Sequence, residues 1–251
     1  MLDRPLIMGI VNVTPDSFSD GGESYAHADA IARGLALVRQ GADIIDVGGE
    51  STRPGATPVD PDEEARRVGP VINALAEAGA VVSIDTRHAG VMKAATNAGA
   101  HIINDVSALT DDPASLDAAV ASGADLVLMH RTIEIVPYDD VTTAVMDYLA
   151  ARIDACEAAG VPRMRIAVDP GFGFGKRMRD NERMLAELTR FKVLGCPLLV
   201  GLSRKFGKGK GPKERLAESL AMAEDAVARG ADIVRVHDVA ETRAVLQAFS
   251  R

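Results

Sequence analysis

A chain of 251 residues, 47% of them hydrophobic, can bury a large core, and no Pro/Ser-rich linker divides it, so a single domain over 1–251 is expected. The net charge of -8 excludes general affinity for nucleic acid or anionic membrane, while leaving room for a locally basic pocket. No run is long and apolar enough for a membrane span, no signal-peptide pattern opens the chain, and Cys156 and Cys196 have neither disulfide-framework nor metal-ligand spacing, so a soluble cytoplasmic protein is expected.

In chain order, short β-type runs fall at 6–11, 44–47, 81–84, 102–103, 126–128, 166–168, 198–201 and 233–236. Amphipathic helical patterns alternate with them at 28–39, 62–78, 89–98, 113–121, 139–159, 181–190, 213–229 and 241–249. Gly-Ala pairs at Gly41, Gly79, Gly99, Gly123 and Gly230 end helices with a left-handed cap just before the next strand. Repetition of this unit implies parallel strands joined by helical crossovers. At eight units the expected fold is α/β, a single (β/α)8 TIM barrel, with an open doubly wound sheet as the alternative.

Barrel enzymes build their sites at the C-terminal ends of the strands. Those ends carry Asn12, Asp46, Asp85, Asn104, His130, Asp169, Ser203 with Arg204 and Lys205, and Arg235 with His237. Each alone reads equally well as a loop cap, but their arrival from every strand on one rim points to a polar site. The densest stretch is 168–176, VDPGFGFGK. It is not a phosphate loop, because Pro170 and Arg177 stand where glycine and Ser/Thr are required, and Lys176 stands where a dinucleotide fingerprint needs glycine. The loop VGGESTRPGA (47–56) carries Arg53, whose planar fork suits phosphate or carboxylate. With Asn12 and Asp46 nearby, Mg²⁺ bound to a substrate diphosphate is chemically sensible, since this ion keeps waters and needs few protein oxygens. His27, His88 and His101 lack ligand spacing and partners and read as helix-start, surface or packing residues.

The segments MGIVNVTPDSFSDGG (8–22) and DVGGESTRPGA (46–56) resemble the two signature segments of dihydropteroate synthase. The resemblance continues through SIDT (83–86), IND (103–105), MH (129–130), DPGFGFGK (169–176), SRK (203–205) and RVHDV (235–239), nearly the whole chain. It implies an enzyme of folate biosynthesis, and a sulfonamide target, that joins a dihydropterin carrying a hydroxymethyl diphosphate to p-aminobenzoate. Asp169 would read the paired donors of the pterin edge, with Asp85, Asn104, Met129, Gly201, Lys205 and Arg235 around the ring. Asn12, as the Mg²⁺ ligand, Arg53 and His237 would hold the diphosphate, and Thr52, Arg53, Pro54, Phe174, Ser203 and Lys205 the p-aminobenzoate. Asp46, Asp85, Lys205 and Arg235 would form the catalytic group around a cation developing at the exocyclic methylene.

The chain departs from the family pattern at Phe206, where a serine is usual, in the short basic run 206–214, and in the loop 131–140. Lys208, Lys210 and Lys213 read first as a solvated charged loop. A pterin-binding paralogue without turnover and a pterin-dependent methyltransferase barrel stay open as alternatives. Pairing into a homodimer through Leu188, Leu216, Leu220 and Val227 is open beside the reading of these residues as core packing.

Overall fold

The computed structural model describes residues 4–13, 23–50, 58–203, 205 and 211–249. The strands are β1 (Leu6–Asn12), β2 (Ile44–Gly48), β3 (Val82–Asp85), β4 (Ile102–Asp105), β5 (Asp125–Met129), β6 (Ile166–Asp169), β7 (Leu199–Val200) and β8 (Ile233–Val236). Each is followed by a helix: α1 (Glu23–Arg39), α2 (Pro61–Glu77), α3 (Ala89–Asn97), α4 (Ser115–Ser122), α5 (Val141–Ala158), α6 (Met178–Ala186), α7 (Pro212–Ala228) and α8 (Val239–Leu246).

The sheet runs β6-β5-β4-β3-β2-β1-β8-β7, with all pairs parallel. A parallel bridge between Val168 and Leu198 joins its two edges, so the barrel closes and the open-sheet alternative is excluded. β7 is shorter than the expected run because Leu198 contributes only that bridge.

The Gly-Ala junctions behave as expected. Gly79 has φ +82°, its N–H donates to Ala76 O at 2.9 Å, and Ala80 N donates back to Leu75 O at 3.1 Å. Those bonds satisfy the carbonyls that the last turn of α2 leaves open and turn the chain straight into β3.

Strand periodicity places the site. Side chains alternate between the helical layer and the barrel interior. The interior floor is an apolar cluster of Met8, Ile44, Val127, Ala167, Leu199 and Ile233, with Ile102 packed against it. Two residues further along the same strands come Ile10, Asp46, Met129, Asp169, Gly201, Arg235 and Asn104. One step of the pleat period thus carries the interior from a dry floor to a polar layer near the mouth. Residues of opposite parity, such as Ile45, Ile103, Leu126, Val168 and Val234, are buried in the larger core under the helices. Leu188 is fully buried in that core, so it belongs to packing and offers no pairing surface, while Leu216, Leu220 and Val227 are half-buried. Among the described residues, no helix is long and apolar enough to cross a membrane.

Candidate active site

The centre of the polar layer is Arg235. Its Nε donates to Asp46 Oδ2 at 2.6 Å and its Nη2 donates to Asp85 Oδ2 at 2.6 Å. Asn104 Nδ2 donates to the same Asp46 oxygen at 3.2 Å. Residues from β2, β3, β4 and β8 are locked together, and the second oxygens behave differently: Asp46 Oδ1 and Asp85 Oδ1 are buried with no hydrogen-bond partner among the described residues. A buried carboxylate oxygen without a donor carries a desolvation cost that a ligand N–H can relieve. Burial pushes the Asp85 carboxyl up to about 7, against the opposing pull of Arg235. Burial also works against the Arg235 charge, but Asp46 and Asp85 outweigh it and hold that guanidinium above its ordinary range.

Asp169 ends β6 buried, with Oδ1 accepting from Gly171 N at 2.7 Å, which fixes the carboxylate's rotation. Burial raises its pKa, offset in part by the charge of Lys205. Lys205 Nζ donates to Phe172 O at 2.8 Å and sits 4.5 Å from the centroid of the Phe174 ring, a cation–π distance. Burial lowers Lys205 to about 8, with Asp169 holding the charge. Gly201 earns its place sterically: a Cβ there would stand 3.7 Å from Lys205 Nζ and 3.8 Å from the Arg235 Cβ, so any larger group would enter the space these cations frame. Met129 is buried at the end of β5, in register with Asp169.

Beyond the ends of β7 and β8, Ser203 Oγ lies 3.2 Å from His237 Nδ1, and Arg33 of α1 donates to the His237 carbonyl at 3.0 Å. Asn12 ends β1 exposed at the rim, in register with Gly48; a Cβ on that glycine would come within 3.9 Å of Asn12 Oδ1. Thr52, Arg53, Pro54, Arg204, Phe206, Lys208 and Lys210 lie outside the described residues; Lys213 is exposed.

His130 does not join the polar layer. It follows Met129 and so has the opposite parity, and its ring meets Tyr148 of α5 edge-on at 4.9 Å. Burial lowers its pKa to about 3, so the ring is neutral and works as packing. His88, for which no partner was expected, has one: Nδ1 lies 2.7 Å from Glu64 Oε2 and 4.0 Å from Glu50 Oε2. Glu50 also pairs with Arg87, at 3.1 Å. Spacing along the chain could not reveal this trio, because its members are spread from residue 50 to residue 88 over two strand–helix units, with Glu50 and Glu64 in the β2–α2 unit and His88 in the next. Glu50, Glu64 and His88 are close enough to share an ion. Arg87 already pairs with Glu50, so this group reads as a hydrogen-bonded and ionic brace joining the end of β2, α2 and the start of α3.

The β4 loop is braced too. Ala108 and Leu109 sit at φ +53° and +62°, an uncommon pair of left-handed residues without glycine. Asp105 accepts from Ser107 N at 2.6 Å and from Leu109 N at 3.0 Å, and Arg152 donates to Ala108 O at 2.8 Å, so the strained turn beside Asn104 is held from both sides.

A family model described as pterin binding enzyme matches residues 8–237. The chain is 47% identical over 252 residues to dihydropteroate synthase of Escherichia coli, covering 96% of this chain and 89% of that one. It is 49% identical over 253 residues to a probable bifunctional folylpolyglutamate synthase/dihydropteroate synthase of Haloferax volcanii, where 97% of this chain spans 30% of the larger protein. Among solved structures, Xanthomonas albilineans dihydropteroate synthase with 4-aminobenzoic acid superposes with a TM-score of 0.93 at 49% identity, over 98% of this chain and 92% of that one. With the barrel closed and the polar layer in place, these similarities establish that the chain belongs to the dihydropteroate synthases, transferases within the family of pterin-binding enzymes.

Proposed function

We propose that this site joins 6-hydroxymethyl-7,8-dihydropterin diphosphate to p-aminobenzoate, with the polar layer reading the pterin and the rim holding the diphosphate. The observation that carries the assignment of roles is the pair of buried oxygens, Asp46 Oδ1 and Asp85 Oδ1, that have no partner among the described residues, in the layer that also holds Asp169. A flat aminopyrimidinone edge is rich in N–H donors, and such a layer of acceptors is what it needs. Asp169 takes the paired donors, Asn104 offers both a donor and an acceptor, and Lys205 lies on the carbonyl side. Arg235 has its guanidinium edge committed to Asp46 and Asp85, which leaves its face for the ring.

Departure of diphosphate from a carbon attached to an electron-rich ring develops positive charge at the exocyclic methylene. Asp46 and Asp85 stand where they stabilise that charge, and the aniline nitrogen of p-aminobenzoate then forms the new C–N bond and loses its proton. The rim fits Mg²⁺ through Asn12, whose exposed side-chain amide oxygen is a hard donor beside Gly48. When bound, Mg²⁺ would neutralise charge on the leaving diphosphate. Asn12 would hold it, with His237 and Arg53 on phosphate oxygens. The second substrate would lie between Phe174, Ser203 and Lys205, beside Thr52 and Pro54.

Diphosphate release by the purified chain, given the pterin diphosphate and Mg²⁺ with and without p-aminobenzoate, tests this reading. Release coupled to formation of dihydropteroate is expected. Pterin binding with no release across a wide p-aminobenzoate range would instead identify a binding protein.

A further inference from the structure

Lys176 closes the glycine-rich stretch after β6, yet it faces away from solvent. It is 5% exposed, and its Nζ donates to Gly171 O at 2.8 Å, Phe174 O at 3.1 Å and His130 O at 3.2 Å. An ammonium has three hydrogens and no acceptor, and here three carbonyl oxygens stand within reach of them; burial works against that charge and lowers the group to about 7, while Asp169 favours it. The backbone that presents these carbonyls is unusual. Gly171, Gly173 and Gly175 all have positive φ, at +72°, +79° and +63°. A Cβ on Gly171 would overlap the His130 carbonyl oxygen, and one on Gly175 would overlap Thr132. The β5 and β6 loops thus touch backbone to backbone, with carbonyl oxygens crowded round one cationic centre.

The same loop is held from its pocket side by Lys205, through Phe172 O and the face of the Phe174 ring. Asn181 of α6 adds a further tie, accepting from Gly173 N at 2.8 Å. Asp169, in contrast, is anchored by its own strand and by Gly171 N. The pterin reader and the Phe174 wall thus meet at Gly171, but Asp169 keeps its place through the β5–β6 pairing, whereas the Phe174 carbonyl is held by Lys176.

We infer that Lys176 is a positioning residue for the second substrate: its ammonium gathers the His130, Gly171 and Phe174 carbonyls and thereby sets the Phe174 wall against which the arylamine lies. Without those donors, Gly171 O keeps the Phe174 N–H at 3.2 Å, but the His130 and Phe174 carbonyls lose the Lys176 hydrogen bonds that hold them, and the loop turns to find water. Phe174 moves with the loop, while Lys205 keeps Asp169 as its counter-charge in the pterin layer. The inference rests on the proposed location of the p-aminobenzoate pocket.

The test is a two-substrate steady-state comparison of the wild-type chain with Lys176→Met, which keeps the apolar stem and removes every donor. The expected result is a KM for p-aminobenzoate raised at least 10-fold, with the KM for the pterin diphosphate changed less than 3-fold. Should Lys176→Met not fold, Lys176→Gln, which retains two amide hydrogens on a shorter stem, is judged by the same split with a smaller rise of about 3-fold or more. Equal rises in both KM values, or no rise for p-aminobenzoate, would overturn the positioning role. Wild-type protein that binds the pterin diphosphate but forms no dihydropteroate would instead sink the functional reading on which it rests.

Discussion

Arg235 and Asp46 lie 189 residues apart in the chain and meet at 2.6 Å in the barrel mouth. The pair works as one half of a fork, since the same guanidinium reaches Asp85 at 2.6 Å and leaves each acid one buried oxygen without a partner among the described residues. The site therefore holds its own cation fixed while presenting two acceptors to whatever enters.

Arg235→Met should leave Asp46 and Asp85 as neighbouring buried acids with no counter-charge. The loss of stability should be on the order of 3 kcal/mol, the lower end of the range for breaking a buried ion pair, because the arginine keeps some solvent contact. Urea unfolding measures this, and a change below about 1 kcal/mol would show that the fork is not a structural support.

Asp169→Asn changes one buried carboxylate oxygen into an amide donor without changing the shape. It should weaken binding of the pterin diphosphate by about 100-fold or more, since a donor would then face a donor. Calorimetric affinity within a few-fold of wild type would move the pterin edge elsewhere in the layer.

Acid sensitivity follows from His130. Its folded pKa, about 3, lies below the ordinary 6.5, so the folded ring stays neutral while the unfolded ring gains a proton. The unfolded state binds the extra proton between these values. The stabilisation is therefore complete above about 6.5 and is lost as pH falls toward 3, with a limiting slope of about 1.4 kcal/mol per pH unit. His130→Phe preserves the aromatic contact with Tyr148 and should flatten this part of the stability curve. Parallel curves for the two proteins between pH 4 and about 6.5 would contradict the assignment.

Gly171→Ala and Gly79→Ala both place a side chain at positive φ, +72° and +82°. Only the first also drives a Cβ into a carbonyl oxygen, that of His130, whereas nothing lies within 4 Å of a Cβ at Gly79. The expected losses are about 3 kcal/mol or more for Gly171 and about 1 kcal/mol for Gly79, measured by urea unfolding. Equal losses would mean that backbone strain alone, and not the crossing of two loops, sets the demand for glycine.

Asn12→Leu keeps the volume and removes the hard oxygen. Calorimetric titration of the pterin diphosphate should then lose most of its dependence on added Mg²⁺, while the pterin lacking its diphosphate binds as before. An unchanged Mg²⁺ dependence would place the ion on other oxygens.

The amino-acid order alone determined the alternation of eight strands and helices, the glycine caps between them and the row of polar residues at the strand ends. These features are local: a pleat period of two, a helical period near 3.6 and the left-handed freedom of glycine are all visible within a few residues. Period two also contained the division between Met129, which faces the barrel interior, and His130, which packs under α5, although a row of polar strand ends made His130 look like a site residue. Tertiary structure decided what the chain could not display along its length. The Arg235 fork, the Glu64–His88–Glu50–Arg87 brace and the carbonyl trio around Lys176 join residues from different strand–helix units, and each depends on distances that only barrel closure sets. Lys176 lay in the stretch that most clearly signalled a site, and the sequence assigned it no role. Burial among carbonyl oxygens, a property of the folded chain, makes it a support.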